Sequence, residues 1–227
     1  MNMVKFKNMP EQSYALRESL RSIRTNLQFS GEDVKVILFT SVTPNEGKST
    51  QSFDLARSIA ENDKKVLFID TDIRKSVQVS RLGAKTLDGS PVLGITHYLS
   101  GQNNINEVLY ATNIPKLFMI FAGSSVPNAT ELLDSKKFHV LIEKVRELFD
   151  YIIIDSPPVQ AAIDSSLIAK ECDGTVLVLV PEENNVNLIK RSLKQLKASN
   201  TRILGVVLNK VKLEKSRYYG RYYGSYY

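Results

Sequence analysis

Six short apolar runs punctuate the chain: VKVILFTSV (34–42), KKVLFIDTD (64–72), LFMIFAG (117–123), YIIIDSPP (151–158), GTVLVLVPE (174–182) and RILGVVLNK (202–210). Each is apolar almost without a break, the pattern of strands buried on both faces rather than of a half-exposed sheet. Stretches of helical character lie between them, near 47–62, 135–149, 164–171 and 186–199. This alternation predicts an α/β fold with a doubly wound, mostly parallel sheet. In such sheets ligands bind beyond the carboxyl ends of the strands, so the polar residues that follow the apolar runs are the first site candidates.

Both ends of the chain depart from the alternation. Leu16, Leu20, Ile23 and Leu27 form a stripe at helical spacing, so a helix here docks by its leucines. At about 100° per residue Glu18 points away from that stripe, with Arg21 and Arg24 progressively around the side. On spacing alone this face is a solvated one carrying a weak i,i+3 ion pair. At the other end, six of the ten tyrosines (Tyr218, Tyr219, Tyr222, Tyr223, Tyr226 and Tyr227) crowd into ten residues spaced by glycine. The expected organisation is an N-terminal extension (1–30), an α/β domain (31–213) and a tyrosine-rich tail (214–227).

Composition narrows the classes. The 227 residues, 43% hydrophobic and 24% charged, suit one globular domain with extensions. The longest apolar runs, such as TVLVLV at 175–180, fall far short of the roughly 20 residues that span a bilayer. The N-terminal MNMVKFKNMPEQSY has no apolar core or small-residue cleavage site, so no secretion signal is expected. A single cysteine, Cys172, excludes an internal disulfide and suits a reducing cytoplasm. It reads as a small core residue. The net charge of +6 comes from interspersed basic and acidic residues, which reads as a mildly basic solvated surface rather than a nucleic-acid footprint. Two histidines, His97 and His139, and one cysteine give no zinc-type cluster, and no HRD or DFG motif appears.

The chemistry gathers after three of the apolar runs. SVTPNEGKST (41–50) follows the first run and opens a helix, and G-K-[ST] in that place is the phosphate-cradling half of a P-loop. Backbone N–H groups there face phosphate anions. Gly47 allows close backbone approach, Lys48 places a charge on the β- and γ-phosphates, and Ser49 offers a hydroxyl to Mg²⁺. The first glycine of the usual pattern would fall at Val42, so the loop is a variant. Asn45, after Pro44, is a candidate for positive φ. Asp70 and Asp72 end the second run, on one face if the chain is still extended. Asp155 ends the fourth, at the position of a Walker B acid. Three carboxylates near one site repel unless a cation offsets them, and magnesium with a nucleotide meets that need.

In this order the residues resemble the bacterial tyrosine kinases of capsular and exopolysaccharide biosynthesis. The closer likeness is to the split Gram-positive form, whose transmembrane activator is a separate polypeptide. The resemblance rests on TSVTPNEGKST, LFIDTDIRKS, IIIDSPP, GSSVPNATELLDS (123–135), GVVLNK (205–210), ESLRSIR and the tyrosine cluster. It implies a P-loop fold of the ParA/MinD-like variant Walker type. ATP is bound by Asn45, Glu46, Gly47, Lys48, Ser49 and Thr50, with Asn209 at the adenine, and Mg²⁺ by Ser49, Asp72 and Asp155. Asp70 accepts the tyrosine proton and Lys48 binds the phosphates, the two standing with Arg74 as the catalytic residues. Arg74 matches a basic residue of the second motif, with a phosphate contact or a subunit contact both open. Glu18, Arg21 and Arg24 match a subunit-contact motif. Asn45 stands where the family often has glycine, and Ala129 where it often has proline.

The resemblance also gives the tail a role: phosphorylation at the clustered tyrosines, between subunits of a homo-oligomeric ring that holds unmodified tails and releases modified ones. It implies a transmembrane activator of the chain-length-regulator type, a tyrosine phosphatase, no nucleic acid, and a cytoplasmic chain held at the inner face of the membrane. Two other functions remain: a ParA/MinD-like ATPase, and a nucleotide-gated scaffold without tyrosine transfer.

Overall fold

Residues 2–211 are described by a computed structural model, and the tail expected over 214–227 lies outside the described residues. Among them nine strands form one sheet: β1 (Asn2–Phe6), β2 (Val36–Ser41), β3 (Val66–Asp70), β4 (Ala84–Thr86), β5 (Leu109–Thr112), β6 (Leu117–Ile120), β7 (Tyr151–Asp155), β8 (Gly174–Leu179) and β9 (Ile203–Leu208). Their order is β4-β1-β5-β6-β3-β7-β2-β8-β9. The helices are α1 (Tyr14–Gln28), α2 (Lys48–Ala60), α3 (Gln78–Leu82), α4 (Ile95–Leu99), α5 (Ile105–Val108), α6 (Ala129–Leu133), α7 (Lys136–Arg146), α8 (Asp164–Ala169) and α9 (Val186–Lys197).

The six apolar runs form one contiguous parallel block, from β6 to β9. Alternation within each strand divides them between two cores. Val36, Leu38, Leu67, Ile69, Ile152, Ile154, Leu177 and Leu179 face the side of α7, α8 and α9. Ile37, Phe39, Val66, Phe68, Ile153, Val176 and Val178 face the side of α1 and α2. Continued one step, this alternation turns Asp70 and Asp155 toward α2. The two are register partners on adjacent strands.

The sheet is wider than the apolar runs foretold. The first 30 residues were expected to lie outside the strand pattern, yet β1 joins the sheet, parallel to β5 and antiparallel to β4. Val4 is fully buried, and Phe6 meets Phe53 of α2 edge-on at 5.6 Å. These added strands are short, and their local pattern is weak. They are strands because a neighbouring edge needs its backbone groups paired.

Helix α1 follows the predicted stripe. Ser13 caps it by accepting from the Leu16 amide, Leu20 and Leu27 are buried, and Leu16 and Ile23 pack beside them. Glu18 and Arg21 pair at 3.3 Å on the surface. Arg24 departs from the outward face: it is half-buried and donates to the Ser58 carbonyl of α2 at 3.0 Å.

Two predictions follow from this packing. A Cβ on Gly94 would lie 2.2 Å from the Gly123 amide nitrogen and 2.4 Å from the Phe121 carbonyl, where α4 closes on the end of β6. Gly94→Ala should therefore cost about 2 kcal/mol in denaturant unfolding, because backbone must shift. Asp54 is buried on α2, with a 3.4 Å contact from Gln12, and burial raises its carboxyl above the usual range. The cost of its charged form is absent below the unfolded-state value and present above the folded one. Asp54→Asn should raise the thermal midpoint at neutral pH and give no gain near about pH 3.

Candidate nucleotide site

The loop after β2 is braced from within and from the ends of β8 and β9. Glu46 is fully buried, accepting from the Thr43 amide at 2.8 Å and from the Asn184 amide group at 2.6 Å. Its side chain therefore braces the loop rather than facing a ligand. Asn45 takes φ 68° and Gly47 φ 88°, so the chain turns twice through the left-handed region before α2 starts at Lys48. No side chain caps that helix. The N–H groups of Lys48 and Ser49 at its start are thus available to an anion, as a phosphate site requires.

Asn209, just past β9, brackets the same loop. Its amide donates to the Glu46 carbonyl at 2.8 Å and accepts from Gln51 at 3.1 Å. Lys210 donates to the Asn45 carbonyl. Glycine suits the left-handed conformation of Gly47, and a Cβ there would push aside the Asn209 amide that braces the loop.

The acids converge on this loop. Lys48 lies 3.1 Å from Asp72 and 3.9 Å from Asp155, and 3.2 Å from the Ser49 hydroxyl. Burial by itself would lower the Lys48 ammonium, but Asp155 and Asp72 more than offset it and hold it above its usual value. Asp70 is pushed up to about 8, first by burial and then by the charge of Asp155, while the Ser76 hydroxyl and the Asp72 amide oppose the rise. Asp155 is raised by burial, with Lys48 pulling it back.

Magnesium fits this donor set. Asp155 Oδ1 is buried with no hydrogen-bond partner among the described residues, beside Asp72 and the Ser49 hydroxyl. No group of three or more His, Cys, Asp or Glu among the described residues could hold an ion by itself. Phosphate oxygens and water would have to complete its shell.

Three functional neighbours escaped the sequence reading. Arg81 on α3 donates to the Ser49 carbonyl at 3.1 Å and the Thr50 hydroxyl at 3.1 Å, and rests on the Phe53 ring. Gln78 donates to the same carbonyl at 3.0 Å. Burial lowers the Arg81 guanidinium, and its charge helps to hold Asp155 down. Nothing in RKSVQVSR signals that α3 folds back onto α2. The third is Asp164, fully buried at the start of α8. It binds Arg74 through two oxygens, at 2.6 and 3.2 Å, and Thr130 completes the cluster at 2.9 Å. Arg74 is thus held by α8 and α6. Neither histidine joins the site: His97 accepts from the Gly94 amide, and His139 pairs with Glu171. Cys172 bonds the Ile168 carbonyl against the core.

Gly47→Ala should weaken binding of a fluorescent ATP analogue by at least about tenfold, because a side chain strains the left-handed turn and displaces the Asn209 amide that braces the loop. Arg81→Lys keeps the charge but loses the fork across Ser49 and Thr50. It should raise the KM for ATP about tenfold with a smaller change in kcat, measured at saturating magnesium.

The comparisons with known proteins agree with this geometry. A family model described as an AAA domain matches residues 34–203. A tyrosine-protein kinase CpsD of Streptococcus agalactiae is 39% identical over 207 residues, covering 91% of this chain and 89% of that protein. Its counterpart in Streptococcus pneumoniae serotype 4 is 42% identical, covering 88% and 87%. Among solved structures, the kinase domain of the Escherichia coli tyrosine kinase ETK matches with TM-score 0.78 at 28% identity, covering 87% of this chain and 78% of that one. A Pyrococcus horikoshii MinD complexed with Mg-ADP matches with TM-score 0.64 at 21% identity, covering 77% and 70%, a likeness of fold. With its P-loop, paired acids and this degree of identity to CpsD, the chain belongs to the bacterial tyrosine-protein kinases.

Proposed function

We propose that this tyrosine kinase phosphorylates its own terminal tyrosines, between subunits of a homo-oligomer, and in that way regulates capsular or exopolysaccharide synthesis. The observation that carries the chemistry is the register pair Asp70 and Asp155, facing Lys48 at the mouth of the phosphate loop. In the proposed step a tyrosine oxygen attacks the γ-phosphorus of ATP. The bond from that phosphorus to the β,γ-bridging oxygen breaks, ADP leaves, and the phenol proton passes to Asp70. Phenol holds its proton with a pKa near 10. Burial and the charge of Asp155 raise the Asp70 carboxyl toward the phenol, and the cationic charge of bound magnesium would favour its ionised, proton-accepting form.

Lys48 and the first-turn amides of α2 hold the phosphates, and positioning and charge stabilisation lower most of the barrier. Bound magnesium supplies charge neutralisation on the transferring group, with Ser49, Asp72 and Asp155 as its protein donors. Asn209 acts on the nucleotide through the loop it brackets. Arg74, held by Asp164, orders the segment between Asp70 and Ser76, and the Glu18–Arg21 pair is offered to a neighbouring subunit. Each added phosphate carries about −1.5 to −2 charge, enough to reverse the tail's small positive charge. A separate transmembrane activator would hold the kinase at the inner membrane face, and a phosphatase would reset it. No helix among the described residues is long and apolar enough to cross a membrane.

Mass spectrometry of the C-terminal peptide tests the reading. The samples are cells carrying wild type, Lys48→Met or Asp70→Asn, each shown to be folded and equally abundant. Phosphotyrosine at Tyr218 to Tyr227 should appear in wild type alone. Asp70→Asn should lower the initial rate in vitro by about 10² or more. Equal modification in all three would mean that another kinase writes the tail. An unmodified tail in all three would leave nucleotide hydrolysis as the activity.

A further inference from the structure

We propose that the outer face of α9 docks this protein directly on an anionic membrane surface. The helix carries four cations in twelve residues, Lys190, Arg191, Lys194 and Lys197, and no acid. At about 100° per residue they fall within one arc of about 120°. All four are exposed, while Leu196 and Ser192 are buried on the opposite side. None forms an ion pair with a carboxylate among the described residues. Like charges three and four residues apart on one helix repel. Lys194 and Lys197 are favoured by the C-terminal end of the helix, but Lys190 and Arg191 lie too far from it for that.

The adjoining sheet edge selects a lipid surface over other polyanions. β9 is an edge strand, and Val207 packs on the α1–α2 side. By alternation, Val206 and Leu208 then lie on the α9 side. They are 48% and 60% exposed, and Val186 at the start of α9 is 63% exposed. Cations and exposed aliphatic side chains on the same side of the sheet suit a bilayer interface, where headgroups take the charge and the acyl boundary takes the apolar groups. A nucleic acid would use the cations and leave the aliphatic residues in water. The nearest acids along the chain, Glu182 and Glu183, precede the helix, and Glu183 lies 3.9 Å from Lys210.

The test uses the full chain without ATP, so its outcome is separate from that of the kinase reading. Binding is measured by co-sedimentation with vesicles of phosphatidylcholine alone or mixed equally with phosphatidylglycerol. Wild type should bind the mixed vesicles only, and less as salt rises. The quadruple variant Lys190→Gln, Arg191→Gln, Lys194→Gln and Lys197→Gln should bind at least about tenfold more weakly. Two controls should retain binding: a chain with Lys190→Arg, Lys194→Arg and Lys197→Arg, and one with Lys212, Lys215, Arg217 and Arg221 changed to Gln. An unchanged circular dichroism spectrum and thermal midpoint would show that the quadruple variant is folded. Loss in the tail variant instead, equal binding by the quadruple variant, or no binding by wild type would each overturn the proposal. So would a preference of wild type for a single-stranded DNA oligomer over the mixed vesicles.

Discussion

The pairing of β3 with β7 is the constraint on which the rest of the site depends. Parallel register sets Asp70 beside Asp155, and strand alternation turns both toward α2. Two carboxylates at the ends of neighbouring buried strands disfavour each other's charge. The fold answers with Lys48, from the helix on that same face, and with the more distant charge of Arg81. A phosphate that engages Lys48 competes with Asp72 and Asp155 for it, so nucleotide binding and the charge state of the acids are one electrostatic problem.

This arrangement explains why a variant phosphate loop works here. Val42 stands where a first glycine is usual, and the loop gains its shape from Glu46, Asn184 and Asn209 instead. These residues come from beyond β8 and β9 as well as from the loop itself. The cradle is therefore a property of the folded sheet and not of a ten-residue motif alone.

Much of this was legible in the sequence. Six apolar runs gave six strands in one parallel block, because burial on both faces leaves a strong local signature in each. Lys48, Ser49, Asp70, Asp72 and Asp155 stood out because phosphate chemistry demands their types directly after strands, and the fold brings them together. The strands β1, β4 and β5 did not, since they are short and are defined by an edge that only the folded sheet supplies. Arg81 and Asp164 were silent for a related reason: each acts across tens of residues, on a partner that no spacing rule links to it. Arg24 was placed on an outward face by helical spacing, and the proximity of α2 drew it inward.

That inward turn of Arg24 links two distant parts of the protein. Helix α2 is thirteen residues long, a rod of about 20 Å. One end of it presents amides to phosphate, and the carbonyl of Ser58, near the other end, is gripped by Arg24 from α1. Arg24 thus ties α1, which carries the Glu18–Arg21 pair on its surface, to the helix that opens at the phosphate cradle. The outer surface of α1 and the phosphate cradle are therefore braced against one and the same rod, so a displacement at one end of α2 would be felt at the other.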